Sequence, residues 1–427
     1  MNTVARETIV TTTASPYFPR CMTASHNEIT ASVWLQYTWH AHEGPNPVAS
    51  CSAAEWDAAR QEADRISETR MAEVRRAAPS LEKAVATLYE CFGAPQTVRE
   101  QRAKRSAIPH STWPGWYEPR DMIAIALGAP EPVRMNNMWW HDRHHYPLEQ
   151  IESAAELARL TIPDWSRTAC VQRMLDSHAR WQREHPGEPP ARFAPVWENL
   201  AVPGRGEVST ICYPSYVDLG LYLMGATRFM TVLGGEPDLA DAFMDLCFEL
   251  STGYTEFLIS LGPEPFVGLC GFGGDATFFL SPTLYERYSA AWDARLFDYV
   301  RARHHLAADA PCNLHSCGAS AHLYANWGRH PCLRNITAMQ TRLIPGTVGR
   351  LRASLPHTEI ELTLHPPEFD LATAEPAAIR AILRQSAADA GGRDVHFGFI
   401  TAVHRLEDLP RLASHVEAVL EEMETFR

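Results

Sequence analysis

Hydrophobic and polar positions divide the chain into two styles of patterning. The last 160 or so residues carry short apolar runs alternating with amphipathic, helix-period stretches. Strands are predicted at Pro265–Gly271, in the run ending at His315, and at Asn335–Gln340, Glu359–Leu364 and Val395–Thr401. Between them the 3.6-residue period predicts helices opening at Ser281-Pro282, near Ser320–Trp327, near Thr347–Leu355, from Pro376 to Gly391-Gly392, and over Leu406–Met423. Upstream, a long amphipathic helix is predicted over Asp238–Leu261, with Leu239, Phe243, Leu246, Leu250 and Tyr254 on one face. The middle is less regular. It suggests strands at Val133–Trp140 and Glu207–Tyr213 and helices at Gln150–Leu160, Val171–Glu184 and Tyr216–Met224.

Strands that alternate with helices pair in parallel through right-handed crossovers. The expected fold class is α/β, a (β/α)8 TIM barrel with three of its units in the irregular middle. An open doubly wound sheet is the runner-up. The first hundred or so residues read differently. Ser52 and Glu55 form a capping box ahead of Trp56, Ile66 and Met71, and a second helix is predicted over Leu81–Phe92. A polar, proline-bearing stretch from Gln96 to Pro119 separates this part from the rest. We therefore read residues 1–110 as a helical N-terminal extension and 111–427 as the barrel. The extension has two readings, a lid over the barrel or a contact in a homodimer.

Composition narrows the function classes. The net charge is −13 and no Lys/Arg run stands out, which argues against nucleic-acid and anionic-membrane partners. Ten cysteines are scattered through 427 residues without a Cys-x-x-Cys, a usage that fits reduced thiols and a cytoplasmic protein. No basic start followed by an apolar block suggests a signal peptide, and no run of apolar residues is long enough to span a membrane.

The chemistry concentrates at predicted strand ends, where barrel enzymes place their reacting groups. In Asn313-Leu314-His315-Ser316-Cys317-Gly318, alternation along an extended segment turns His315 and Cys317 the same way. A neutral imidazole with a thiolate suits zinc, and a three-ligand site leaves an open position for a thiol substrate. The bland reading is a buried thiol beside a hydrogen-bonded histidine. His404, after Val395–Thr401, and His365, after Glu359–Leu364, are the alternatives for a third ligand; each also reads as a pocket histidine. Asp275, after Gly271-Phe272-Gly273-Gly274, is a candidate general acid/base or a loop-capping carboxylate. His141-Asp142-Arg143-His144-His145 is metal-like in composition but sits between Trp139-Trp140 and Tyr146-Pro147, as a solvated turn would. No dinucleotide or phosphate-loop fingerprint follows a predicted strand, and no Gly-x-Ser-x-Gly occurs.

On Gly273-Gly274-Asp275, Leu280-Ser281-Pro282, Leu314-His315-Ser316-Cys317-Gly318, His365-Pro366-Pro367 and Phe399–His404, the C-terminal half resembles the uroporphyrinogen decarboxylase superfamily. That superfamily includes zinc-dependent methyltransferases that serve methylcobalamin and thiols. The resemblance implies zinc on His315 and Cys317. The family's last ligand is a cysteine after the final strand; here no cysteine follows Cys332, and His404 stands near that place. The resemblance further implies a methyltransferase that activates a thiol acceptor, with the methyl group from a corrinoid (cobalamin) or a small donor. No corrinoid module is visible, so the corrinoid would come free or on a partner corrinoid protein. The family's arginine-rich substrate motif is absent. The alternative is a metal-independent decarboxylase or lyase of a small carboxylated metabolite, with Asp275 and His404 at its centre.

Overall fold

The computed structural model describes residues 29–37, 118–129, 133–135, 138–140, 146–184, 186–187, 193, 196–202, 206–262, 267–274, 276–316, 318–329, 332, 336–342, 346–356, 358–364, 374–391 and 395–403, with single positions at 411, 415, 418, 421, 422 and 425. The predicted helices at Ser52 and Leu81–Phe92 and most of Leu406–Met423 lie outside the described residues.

Ten strands are described: β1 (Ile29–Tyr37), β2 (Val133–Met135), β3 (Met138–Trp140), β4 (Val196–Val202), β5 (Gly206–Cys212), β6 (Val267–Gly273), β7 (Cys312–Ser316), β8 (Ile336–Arg342), β9 (Glu359–Leu364) and β10 (Val395–Val403). Eight of them form one sheet in the order β1-β10-β9-β8-β7-β6-β5-β4. Every neighbouring pair from β1 round to β5 is parallel; β4 alone runs antiparallel, beside β5. All the C-terminal ends from β5 to β10, and that of β1, therefore lie along one edge. The described α-helices are α1 (Pro119–Ala126), α2 (Ala154–Leu157), α3 (Ala169–Glu184), α4 (Tyr216–Leu223), α5 (Ala226–Gly235), α6 (Pro237–Ser260), α7 (Pro282–Leu284), α8 (Ala290–His304), α9 (Tyr324–Arg329), α10 (Thr347–Ser354) and α11 (Pro376–Asp389).

The alternation that predicted the strands has a direct packing counterpart. Ile360 and Leu362 of β9, Met339 of β8, and Val395 and Phe397 of β10 are all buried. The register pairs Met339 with Ile360, Ile360 with Val395, and Leu362 with Phe397, so they form one apolar face. Phe272 of β6 extends that face onto Phe297 of α8, at 6.5 Å between ring centroids. Burying each such side chain contributes about 1.5–3 kcal/mol. The positions between them are Glu359, Glu361, Thr363 and His396. A parallel sheet buried in apolar core on both sides would carry near-continuous hydrophobic runs. This one has an apolar face toward helices and a second face rich in polar residues.

Three serines set helix starts. Ser153, Ser215 and Ser281 accept hydrogen bonds from the backbone N–H groups of Glu156, Asp218 and Leu284 at 3.3, 3.1 and 3.2 Å. Ser153 explains why the helix expected over Gln150–Leu160 is only the short α2. The strand expected over Val133–Trp140 is instead an antiparallel pair, β2 with β3, with Met135 registered opposite Met138. Two strands had no sequence expectation: β4, and β1, which falls inside the segment read as a helical extension.

Between α4 and α5 the chain turns at Gly225, where φ is +75° and a Cβ would lie 2.8 Å from the ring of Tyr146. Both facts require glycine. Gly225→Ala is expected to lower unfolding stability by about 1–2 kcal/mol, read from the denaturant midpoint at constant slope. An unchanged midpoint would show that the turn adapts freely.

Candidate functional site

Of the five residues singled out from sequence, the structure describes one, His315. Asp275, Cys317, His365 and His404 lie outside the described residues, as does the His141–His145 cluster. The chain that leads to each is described, however. Gly274 precedes Asp275, Ser316 at the end of β7 precedes Cys317, Leu364 at the end of β9 precedes His365, and Val403 at the end of β10 precedes His404. These four leads sit at the C-terminal edge of one parallel sheet.

His315 is the penultimate residue of β7 and is 4 % exposed. Its neighbour Leu314 lines a cavity with Trp292 of α8 and Trp327 of α9, so Leu314 faces the helices. Alternation then turns Asn313 and His315 to the polar face. On β6, the residue registered with His315 is Gly273. A Cβ built at Gly273 would meet nothing within 4 Å. The imidazole thus lies on the face away from the helices, in register with a glycine that has no neighbour among the described residues within 4 Å of where a Cβ would sit.

The segments that follow β6 and β7 are tied to one another. Thr277 donates its hydroxyl to the Gly274 carbonyl at 2.9 Å and lies 3.5 Å from the Ser316 hydroxyl. Ser316 is hydrogen-bonded in turn to Ser320. Further on, His322 Nε2 meets the Leu280 carbonyl at 2.8 Å, and the Asn326 amide donates to the Pro282 carbonyl at 3.2 Å. Gly318 is the tightest point. A Cβ there would lie 1.9 Å from Phe278 Cδ1 and 2.7 Å from Phe278 Cβ. The glycine of the His-x-Cys-Gly run is therefore fixed by packing, with the base of an aromatic side chain occupying the space of a substituent. This clamp holds the end of β7, and so the chain entering Cys317, against the loop beyond β6.

Behind the sheet, on the helix side, is a cavity of about 10 Å³ bordered by Ser215, Tyr216, Tyr285, Ser289, Trp292 and Asp293, among others. That is room for about one water. The helix there opens with a π-helical turn, Tyr285–Ser289. Burial pushes the Asp293 carboxyl up to about 7, against the opposing pull of a hydrogen bond from the Tyr285 hydroxyl at 3.4 Å. Tyr216 and Ser289 share a hydrogen bond at 2.9 Å. Sequence reasoning passed over Asp293, which reads as one polar position in an amphipathic helix. It stands on the opposite side of the sheet from His315.

For zinc, the described donor fits. His315 places an imidazole at a strand end, the kind of ligand zinc accepts. Among the described residues, no three His, Cys, Asp or Glu side chains stand together as a metal site. Among the cysteines whose side chains are described, Cys170, Cys247, Cys270, Cys312 and Cys332 are buried and form no disulfide. Burial raises Cys312 to about 12 and holds Cys332 well above the ordinary thiol range as well, so both stay protonated at neutral pH and are poor ligands. No described helix is long and apolar enough to cross a membrane.

No family model matches the chain, and no curated protein matches it. Among solved structures it is similar to a methyltransferase from Methanosarcina mazei, at 14% identity and a TM-score of 0.41, over 70% of this chain and 78% of that one.

Proposed function

We propose that this protein is a zinc-dependent methyltransferase built on a (β/α)8 barrel, with a thiol as methyl acceptor. The observation that carries the reading is the placement of His315. It is buried at the C-terminal end of a parallel strand, on the polar face, beside the open position at Gly273. Pairing of the first strand with the last, β1 with β10, supports the barrel, because closure of a (β/α)8 sheet makes that pair. Polar residues on the face away from the helices support a lumen that admits a polar substrate.

In this reading His315 and Cys317 hold the metal, with His404 or His365 as the third ligand. When bound, zinc lowers the pKa of a coordinated thiol, so that it is a thiolate at neutral pH. The clamp of Gly318 on Phe278 holds the chain just beyond β7 against the turn beyond β6. Gly273 leaves room for the acceptor beside the imidazole. The acceptor sulfur would form the new S–C bond, and the donor, a corrinoid or a small methyl carrier, would depart with the electron pair of the bond that breaks. A corrinoid would be supplied free or by a corrinoid protein. Asp275 follows Gly274 at the same edge and is the candidate to orient the acceptor or donor through a hydrogen bond.

The test is elemental analysis of purified protein beside a His315→Ala/Cys317→Ala double variant, with methylcobalamin and 2-mercaptoethanol as assay reagents. The expected result is about one zinc per chain. It is lost in a double variant that retains its circular dichroism, and methylated thiol forms only in the zinc-loaded parent. A folded protein that binds no zinc when supplied with it under reducing conditions would sink the proposal.

A further inference from the structure

The register of the sheet brings together residues that lie far apart in sequence. His315 of β7 pairs with Gln340 of β8, Gln340 with Glu361 of β9, Glu361 with His396 of β10, and His396 with Thr30 of β1. These five positions form one continuous rung across five adjacent parallel strands. Registered partners in a parallel sheet share a face, so the whole rung lies on the face that carries His315. On the seven parallel strands, the titratable and charged positions that share that face are Cys212, His315, Arg342, Glu359, Glu361 and His396. Glu361 and His396 are the one directly registered carboxylate–imidazole pair among them, on neighbouring strands roughly 5 Å apart. Arg342 falls one rung further on, registered with Thr363.

We propose that Glu361 and His396 act as an acid–base pair for the reaction at this face, with His396 the proton acceptor and Glu361 the residue that sets its basicity. This rests on the methyl-transfer reading and deepens it. Methylation of a neutral thiol releases one proton per turnover: R–SH and a methyl donor give R–S–CH3, the departing donor with its electron pair, and H⁺. That proton needs an acceptor of suitable basicity. A carboxylate at the registered position favours the protonated form of an imidazole. Neither residue belongs to the expected metal ligands, so loss of either should spare the metal. The substrate class is a small molecule with an ionisable hydrogen, of which a thiol is the case in hand.

Two measurements test the proposal, and one of them needs no activity. First, the ring resonances of His396, assigned by their loss in His396→Gln, are titrated by NMR in the parent and in Glu361→Gln. The expected midpoint in the parent is above the ordinary histidine value of about 6.5, and it falls in Glu361→Gln. A midpoint at or below 6.5 that does not move in Glu361→Gln overturns the pair. Second, methyl transfer from methylcobalamin to 2-mercaptoethanol is followed against pH in the zinc-loaded parent, in His396→Gln and in Glu361→Gln. We expect kcat to fall at least tenfold in His396→Gln with zinc content unchanged, and the pH profile of Glu361→Gln to shift. Unchanged kcat in a folded, zinc-loaded His396→Gln overturns the role of His396. A parent that binds no zinc and transfers no methyl group counts against the methyltransferase reading instead, and the NMR titration still decides the pair. If His396→Gln does not fold, His396→Asn replaces it in both measurements.

Discussion

Gly318→Ala is expected to lower unfolding stability by about 3 kcal/mol. The argument rests on where the added atom would go. A Cβ at Gly318 would lie 1.9 Å from Phe278 Cδ1 and 2.2 Å from Phe278 Cγ. A clash with the far end of a flexible side chain is relieved by a rotamer change. Here the Cβ of Phe278 is itself only 2.7 Å away, so rotating the ring is not enough and the Thr277–Phe279 turn has to move. That turn is tied to the end of β6 through Thr277 and the Gly274 carbonyl, and to the end of β7 through Ser316. Strain at Gly318 therefore passes to both strand ends that border the site. The check is a double-mutant cycle by denaturant unfolding, with Phe278→Ala as the second change. Because Phe278→Ala removes the obstructing ring, the double variant should recover at least 1 kcal/mol of the loss. Additive losses would mean that the ring is not what excludes the methyl group.

This clamp shows how far sequence reading reached. The sequence singled out His-x-Cys-Gly because two ligand types two residues apart on an extended segment share a face; of that run the structure describes His315, Ser316 and Gly318. The reason for its glycine was not legible, since Phe278 meets Gly318 only through the fold. The strands from β6 to β10 were foreseen to within about two residues, because each is a short apolar run punctuated by helix-starting signals. β1 was missed although Ile29–Tyr37 is rich in strand formers, because no helix-period stretch directly follows it to mark a βα unit. β4 was missed because Val196–Val202 holds Glu198 and Asn199 in mid-strand, which blurs the alternation. The rung of Gln340, Glu361 and His396 could not have been found at all. Each residue alone is an ordinary polar position on an amphipathic strand. Only the register, a property of pairing between strands, makes them neighbours.

The same fold buries a carboxyl that has no part in this chemistry, and its removal should be the most stabilising single change at neutral pH. Asp121, in the first turn of α1, is 2 % exposed. Burial pushes its carboxyl up to about 8, with the neighbouring Arg120 guanidinium opposing that rise and Glu118 adding to it. Arg120 is itself engaged by Glu118 at 2.7 Å and lies over the Tyr222 ring at 5.2 Å. The sign follows from proton counting. From about pH 4 to about pH 8, native Asp121 keeps a proton that the unfolded chain has given up. Stability from this group therefore falls as pH rises through that window. Below it both states are protonated, and above it both are ionised. At pH 7 the ceiling on the cost is on the order of 4 kcal/mol, at about 1.4 kcal/mol for each pH unit above the ordinary aspartate value of 3.8. Asp121→Asn keeps the shape and cannot ionise. Its unfolding free energy, measured by denaturant at several pH values, should exceed the parent's at pH 7 and converge on it near pH 4. The parent's decline between pH 5 and pH 8 should flatten in the variant. A variant less stable than the parent at every pH would show that Asp121 is ionised in the native state and stabilised by Arg120, which reverses the sign of its contribution.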